Sequence, residues 1–174
     1  MKIQGPAHVV GDNVDTDVII PGRYCNLTDP KELAPHCLED LDPTLAKKVR
    51  PGSLLFAGEN FGCGSSREVA PITLKAAGFA AVVAKSFARI FFRNAINIGL
   101  PIFECAAAAE EAQSGDEFEI EGETGAIRNR TRGKDYRAAA LPKEVRAIVE
   151  AGGLIEYVKR RTAATTSPSS GSPR

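Results

Sequence analysis

The chain has 174 residues, a length that suits one domain with a proper core. Apolar residues make up 43% and charged residues 25%, and 22 Lys plus Arg balance 22 Asp plus Glu, so no net positive field draws the chain to nucleic acid or an anionic membrane. The longest apolar runs, such as "FAAVVA", fall far short of the ~20 residues that span a bilayer. "MKIQGPAHVV" lacks a signal-peptide h-region with a small-residue cleavage site, so a cytoplasmic location is expected.

In chain order, "AHVVGDNVDTDVIIPGRY" predicts a strand near Ala7–Val10, a loop over Gly11–Asp17 and an extended "VII" stopped by Pro21-Gly22. Asp29 and Pro30 open "DPKELAPHCLEDL" as N-cap and first helical residue, and Asp42 and Pro43 repeat the device in "DPTLAKKV". Two short helices are expected there, followed by a buried strand at "GSLLFAG". "EVAPITLKAAG" reads as a helix closed by Gly78, with Pro71 in its first turn. "FAAVVA" is an apolar run of strand length, the mark of a strand covered on both faces. "SFARIFFRNAINIG" predicts a helix with Phe87, Phe91 and Ile98 on one face, ended by Gly99, and "LPIFEC" another strand. This alternation argues an α/β fold with a parallel core. Further on come an acidic hairpin turning near Gly122–Gly125, a helix from about Pro142 and a last strand at "LIEYV". The expected domain is 1–158. The Ser-, Thr- and Pro-rich remainder, 159–174, reads as a disordered tail.

Cys25, Cys37, Cys63 and Cys105 form no C-x-x-C pair, and His8 and His36 match no zinc spacing. No disulfide framework and no metal ligand set are expected, and Cys37 and Cys105 read as buried thiols.

The most unusual run is "GENFGCGSSRE", Gly58 to Glu68. It lacks the Lys-Ser/Thr of a Walker loop, and Arg67 stands where a dinucleotide fingerprint needs its third glycine. Ser65 with Glu68 spells a capping box, which would explain the serine without any chemistry. Arg67 after two hydroxyls at a helix start is not explained that way. Backbone N–H groups and the dipole attract anions there, and a guanidinium adds a fork for a carboxylate. The site suits a small carboxylic acid.

Taken together, "GDNVDTDVIIPGRY", "GENFGCGSSRE" and "AKSFARIFFRNAINIGLP" resemble, in order and spacing, the small-subunit family of 3-isopropylmalate dehydratase, the separate-chain form of the aconitase swivelling domain. The resemblance covers about residues 5 to 158. It implies a swivelling β/β/α domain with a mixed, largely parallel sheet. It also implies a larger partner chain that carries a [4Fe–4S] cluster, with no cofactor bound by this chain. Residue by residue, it makes Ser65 the catalytic base, Arg67 the group that stabilises its alkoxide and binds a substrate carboxylate, and Ser66 a pocket hydroxyl. Asp17 matches the acid of the family's "TD" motif and supports the hydrogen bonds of the site, although an Asx-turn would equally explain it. Asp12 and Asp15 read as turn residues. Lys85, Ser86, Arg89 and Arg93 belong to a segment that positions the loop or the partner. Members of the family commonly read Ser-Arg-Glu-His, whereas this chain has Val69, which neither donates nor accepts hydrogen bonds.

The implied activity is that of a hydro-lyase of leucine biosynthesis, interconverting 2-isopropylmalate and 3-isopropylmalate by dehydration and rehydration, active only with the large subunit. The loop Tyr24, Cys25, Asn26, Leu27 and Thr28 is implied to face the substrate's variable group. It carries no charge, so a tricarboxylic acid is disfavoured unless Arg23 turns inward. The alternatives are a homoaconitate hydratase, a dehydratase of 2,3-dimethylmalate or citramalate type, and a non-catalytic partner-binding module.

Overall fold

The computed structural model, which describes residues 1–165, is built on strands β1 (Lys2–Val9), β2 (Ser53–Ala57), β3 (Phe79–Ala84), β4 (Ile102–Glu104), β5 (Glu117–Glu121), β6 (Ala126–Asn129) and β7 (Lys134–Arg137). They form one mixed sheet in the order β4-β3-β2-β1-β5-β6-β7. β1 pairs in parallel with β2, β2 with β3 and β3 with β4, whereas β5, β6 and β7 follow β1 as antiparallel neighbours. The helices are α1 (Thr16–Ile19), α2 (Pro30–Leu33), α3 (Leu45–Lys48), α4 (Val69–Ala77), α5 (Arg89–Asn97), α6 (Ala106–Glu111), α7 (Lys143–Ala151) and α8 (Leu154–Thr165). Among the described residues, no helix is long and apolar enough to cross a membrane.

The apolar runs of β2 and β3 have a simple cause. Alternate side chains enter different cores, so the strands are apolar apart from Ser53, whose buried hydroxyl accepts from the Arg50 N–H (3.0 Å). Leu55, Ala57, Val82 and Ala84 pack with Ile19, Ile20, Leu74 and Phe91 on one face. Leu54, Phe56, Ala81 and Val83 pack with Phe103, Phe118, Ile120 and Ile127 on the other. The connections β2–α4–β3 and β3–α5–β4 are parallel crossovers, and Gly78 (φ 114°) and Gly99 (φ 75°) end their helices as expected. Lys75 of α4 donates to the carbonyls of Ile98 (2.7 Å) and Gly152 (3.4 Å), and so ties α4 to the ends of α5 and α7.

Several expectations change. "LIEYV" is not a strand: Leu154 to Val158 begin α8, because Gly152 and Gly153, both at positive φ, end α7 and the chain turns at once into another helix. The boundary expected at 158 therefore falls inside α8, and the rest of the expected tail, 166–174, lies outside the described residues. "VII" is not extended throughout. Asp15 caps α1 by accepting from the Val18 N–H (2.9 Å), and the chain extends only at Ile20. Asp42 does not cap α3 directly. Its carboxylate holds the N–H and hydroxyl of Thr44, the N-cap residue of that helix. The first Asp-Pro device works as expected, with Asp29 accepting from the Lys31 N–H ahead of α2. Helix α5 starts at Arg89, because Ser86 to Ala88 pair instead with the glycine-rich loop.

Candidate active site

The loop from Gly58 to Glu68 leaves β2 and is gripped along its length by the segment after β1. The Gly62 N–H donates to Val14 O (2.8 Å), and the Thr16 N–H donates to Cys63 O (2.9 Å). The Thr16 hydroxyl donates to Ser65 O (3.1 Å), and Arg67 Nη1 donates to the Asp17 carboxylate at 2.5 Å. Four successive contacts thus run in register from residues 14–17 to residues 62–67. Upstream, Asp12 accepts from the Glu59 N–H (2.7 Å), so the expected turn residue also anchors the loop. The other strong motif supports the loop from the opposite side. Ser86 Oγ accepts from the Asn60 N–H (2.8 Å), Ser86 O accepts from the Phe61 N–H (3.0 Å), and the Ala88 N–H donates to Phe61 O (2.9 Å). Arg89 and Arg93 are exposed, and Lys85 lies 3.6 Å from Glu110.

No capping box forms. Helix α4 begins at Val69, its N-cap is Glu68 in helical geometry, and no side chain caps it. The Arg67 N–H instead folds back to Ser65 O (2.8 Å). Ser65 and Ser66 are exposed. Asp17 also escapes the Asx-turn: Asp15 makes the local cap, which leaves the Asp17 carboxylate for Arg67.

Arg67 Nη1 makes a second contact, 3.1 Å to Cys25 Sγ. The loop Tyr24 to Thr28 starts with the last residue of a short 3₁₀ turn over Gly22–Tyr24, and Cys25 brings it against the Ser-Ser-Arg loop. A Cβ on Gly22 would sit 3.5 Å from both Arg67 Nη1 and Asp17 Oδ1, so the backbone itself forms a wall of this junction. Tyr24 and Leu27 pack on the core, whereas Asn26 and Thr28 are exposed. Tyr24 stacks on His36 (3.7 Å between ring centres, 13°), whose Nδ1 lies 2.8 Å from Glu39.

Arg23 points away from the junction. Its guanidinium binds Glu39 (2.6 Å) and Asp40 (2.7 Å) and lies over the Tyr24 ring, and Asp40, Tyr24 and Glu39 raise its pKa above the usual arginine value. The inward turn that would admit a third carboxylate is not the conformation present. Cys37 and Cys105 are buried, and burial pushes the Cys37 thiol up to about 12. Val69 is half-buried against the core rather than facing the loop's polar atoms.

The aconitase C-terminal domain family matches residues 41–106. The 3-isopropylmalate dehydratase small subunit of Caldicellulosiruptor bescii is 58% identical over 159 residues, covering 91% of this chain and 96% of that one. That of Moorella thermoacetica is 58% identical over 161 residues, covering 92% and 97%. This chain belongs to the 3-isopropylmalate dehydratase small-subunit family. A crystal structure of 3-isopropylmalate dehydratase from Methanocaldococcus jannaschii shares the fold, with a TM-score of 0.90 and 47% identity over 95% of this chain and 98% of that one.

For this member of the small-subunit family, sequence reasoning missed Thr16, Gly22 and Val14. Thr16 and Gly22 flank residues that were singled out, yet neither carries a titratable group. Val14 contributes through its backbone carbonyl, which no motif announces.

Proposed function

We propose that the chain supplies the base and the anion clamp of a hydro-lyase that interconverts 2-isopropylmalate and 3-isopropylmalate. The observation that carries this reading is the Arg67 junction. Asp17 and Cys25 lie more than 40 residues before Arg67, yet both meet one of its guanidinium nitrogens beside two exposed serines. Both contacts use Nη1, which leaves Nε and Nη2 to fork a substrate carboxylate. Ser65 removes the proton from the carbon next to that carboxylate, and the positive charge of Arg67 favours its alkoxide. Ser66 lines the pocket, and Asp17 orients Arg67. As the proton leaves, the hydroxyl on the adjacent carbon departs as water and a double bond forms; water then adds back with its hydroxyl on the carbon that lost the proton and its hydrogen on the other, which moves the hydroxyl by one carbon.

Half of such a site is missing from this chain. Among the described residues, no group of three or more His, Cys, Asp or Glu side chains could hold a metal ion, and two of the four thiols are buried. These residues do not fit a [4Fe–4S] cluster. On this reading the cluster belongs to a larger partner chain, where it supplies a Lewis acid. All four cysteines are free, which agrees with a reducing, cytoplasmic setting.

Specificity lies in Tyr24 to Thr28. Cys25 and Leu27 wall a branched alkyl group, and Asn26 and Thr28 keep the rim polar. With Arg23 held by Glu39 and Asp40, a third carboxylate would be desolvated without a cation, which costs several kcal/mol. The test is kcat/KM of the reconstituted pair on isopropylmalate, a citramalate-type acid and homoaconitate. Isopropylmalate is expected to lead, the smaller acid to follow by ~1–3 kcal/mol per methylene, and Leu27→Arg to move preference toward homoaconitate. Wild type preferring homoaconitate overturns the assignment.

A further inference from the structure

We infer that Thr16 is a positioning residue that holds Ser65 in register with Arg67. The inference rests on the proposed roles of those two residues. Thr16 is 2% exposed and grips the loop on both sides of Gly64: its N–H reaches Cys63 O (2.9 Å) and its hydroxyl reaches Ser65 O (3.1 Å). Gly64 itself is left-handed (φ 90°), and a Cβ there would lie 3.5 Å from Thr16 Oγ1. Left-handed glycine is where a chain can pivot most freely, so clamping both of its neighbours fixes the direction in which Ser65 leaves.

Ser65 O also accepts from the Arg67 N–H (2.8 Å), so one carbonyl joins Thr16, Ser65 and Arg67. The arginine has independent support. Asp17 and Cys25 hold its guanidinium whether or not the Thr16 hydroxyl is present. Ser65 is held less firmly: apart from Thr16, its carbonyl accepts only the local Arg67 N–H two residues on, and its side chain is exposed. Loss of the hydroxyl therefore misplaces the base more than the anion clamp. Misplacement of a reacting group by about 1 Å costs roughly 10²-fold in rate.

The test is Thr16→Val, Thr16→Ala and Thr16→Ser in the full chain, paired with the large subunit. Thr16→Val keeps the shape and removes the donor, and is expected to lower kcat about 10- to 100-fold with KM within about 3-fold. Thr16→Ser restores the donor and is expected to stay within about 3-fold of wild type. In the chain alone, amide exchange at Gly62 and Arg67 is expected to quicken in the valine variant and not in the serine one. A valine variant with near-normal kcat overturns the inference, as does one whose KM rises in step with the fall in kcat, or a serine variant that fails to rescue. Should valine not seat, Thr16→Ala answers the same question, and wild-type kcat there overturns the inference equally. A pair that does not turn over isopropylmalate, or one indifferent to Ser65→Ala, would sink the proposed function instead. The outcomes are distinguishable.

Discussion

Arg67 reads two neighbours through a single nitrogen, and the partners differ in what their loss should do. Asp17 is more than half exposed, so its ion pair contributes only about 0–1 kcal/mol to stability. On the proposed reading, its value lies in aiming the guanidinium. Asp17→Asn is expected to leave the melting temperature nearly unchanged while raising KM about tenfold or more, as steady-state kinetics on the pair would show. Arg67→Lys is expected to be worse, because an ammonium cannot donate to Asp17 and still fork a carboxylate. A lysine variant with near-normal KM would deny Arg67 its role in binding. These two residues were legible in sequence because each carries charge in an unusual setting. Thr16 was not, since an uncharged buried hydroxyl looks like any other turn residue until its acceptor is known.

At the scale of elements, the loop is shaped by what it must avoid as well as by its bonds. Gly62 sits at φ 78°, and a Cβ there would lie 2.2 Å from Phe91 Cγ, inside α5. Gly62→Ala therefore combines left-handed strain of about 1–2 kcal/mol with overpacking of about 1–3 kcal/mol. A shift of the denaturation midpoint equivalent to roughly 2–5 kcal/mol is expected. Gly64→Ala, whose nearest neighbour would be 3.4 Å away, should cost only the strain. Equal costs for the two would contradict this packing account. The helices around the loop were legible where glycine and proline punctuate them, as at Gly78 and Gly99. The misreadings have a common physical reason. "VII" and "LIEYV" are short apolar runs whose composition suits strand or helix alike. Asp15 decides the first by capping, and the paired glycines before Leu154 decide the second. β7 was not expected, because its Lys, Asp, Tyr and Arg are the charged sequence of a solvated edge strand.

Across the whole molecule, the antiparallel half of the sheet braces the parallel half that carries the site, and neither the order of the seven strands nor the central place of β1 was readable from local pattern. Strand order depends on which distant segments pair, and β1 and β2 are separated by more than 40 residues of turns and short helices. One buried carboxylate secures the antiparallel half. Asp116, 5% exposed, accepts from Asn129 (2.8 Å) and Arg132 (2.8 Å). Burial alone would raise its pKa, yet the hydrogen bonds from Arg132 and Asn129 outweigh that and hold it below the usual aspartate range. A depressed folded pKa gives stability that is present above the unfolded value of ~3.9 and lost as pH falls through the folded one. The melting temperature is therefore expected to fall between about pH 5 and 3, and Asp116→Asn to cost about 1–3 kcal/mol at neutral pH and flatten that fall. An unaltered acid slope in the variant would place the sensitivity elsewhere. On the proposed reading the site's chemistry, by contrast, turns on one exposed hydroxyl that caps no helix, so stability and catalytic effects should separate cleanly. The decisive measurement is turnover of isopropylmalate by the reconstituted pair carrying Ser65→Ala, with the melting temperature of the variant chain taken alongside. The account predicts kcat lower by about 10²–10⁴ with stability changed by no more than about 0.5 kcal/mol, and near-normal kcat at any stability would contradict it.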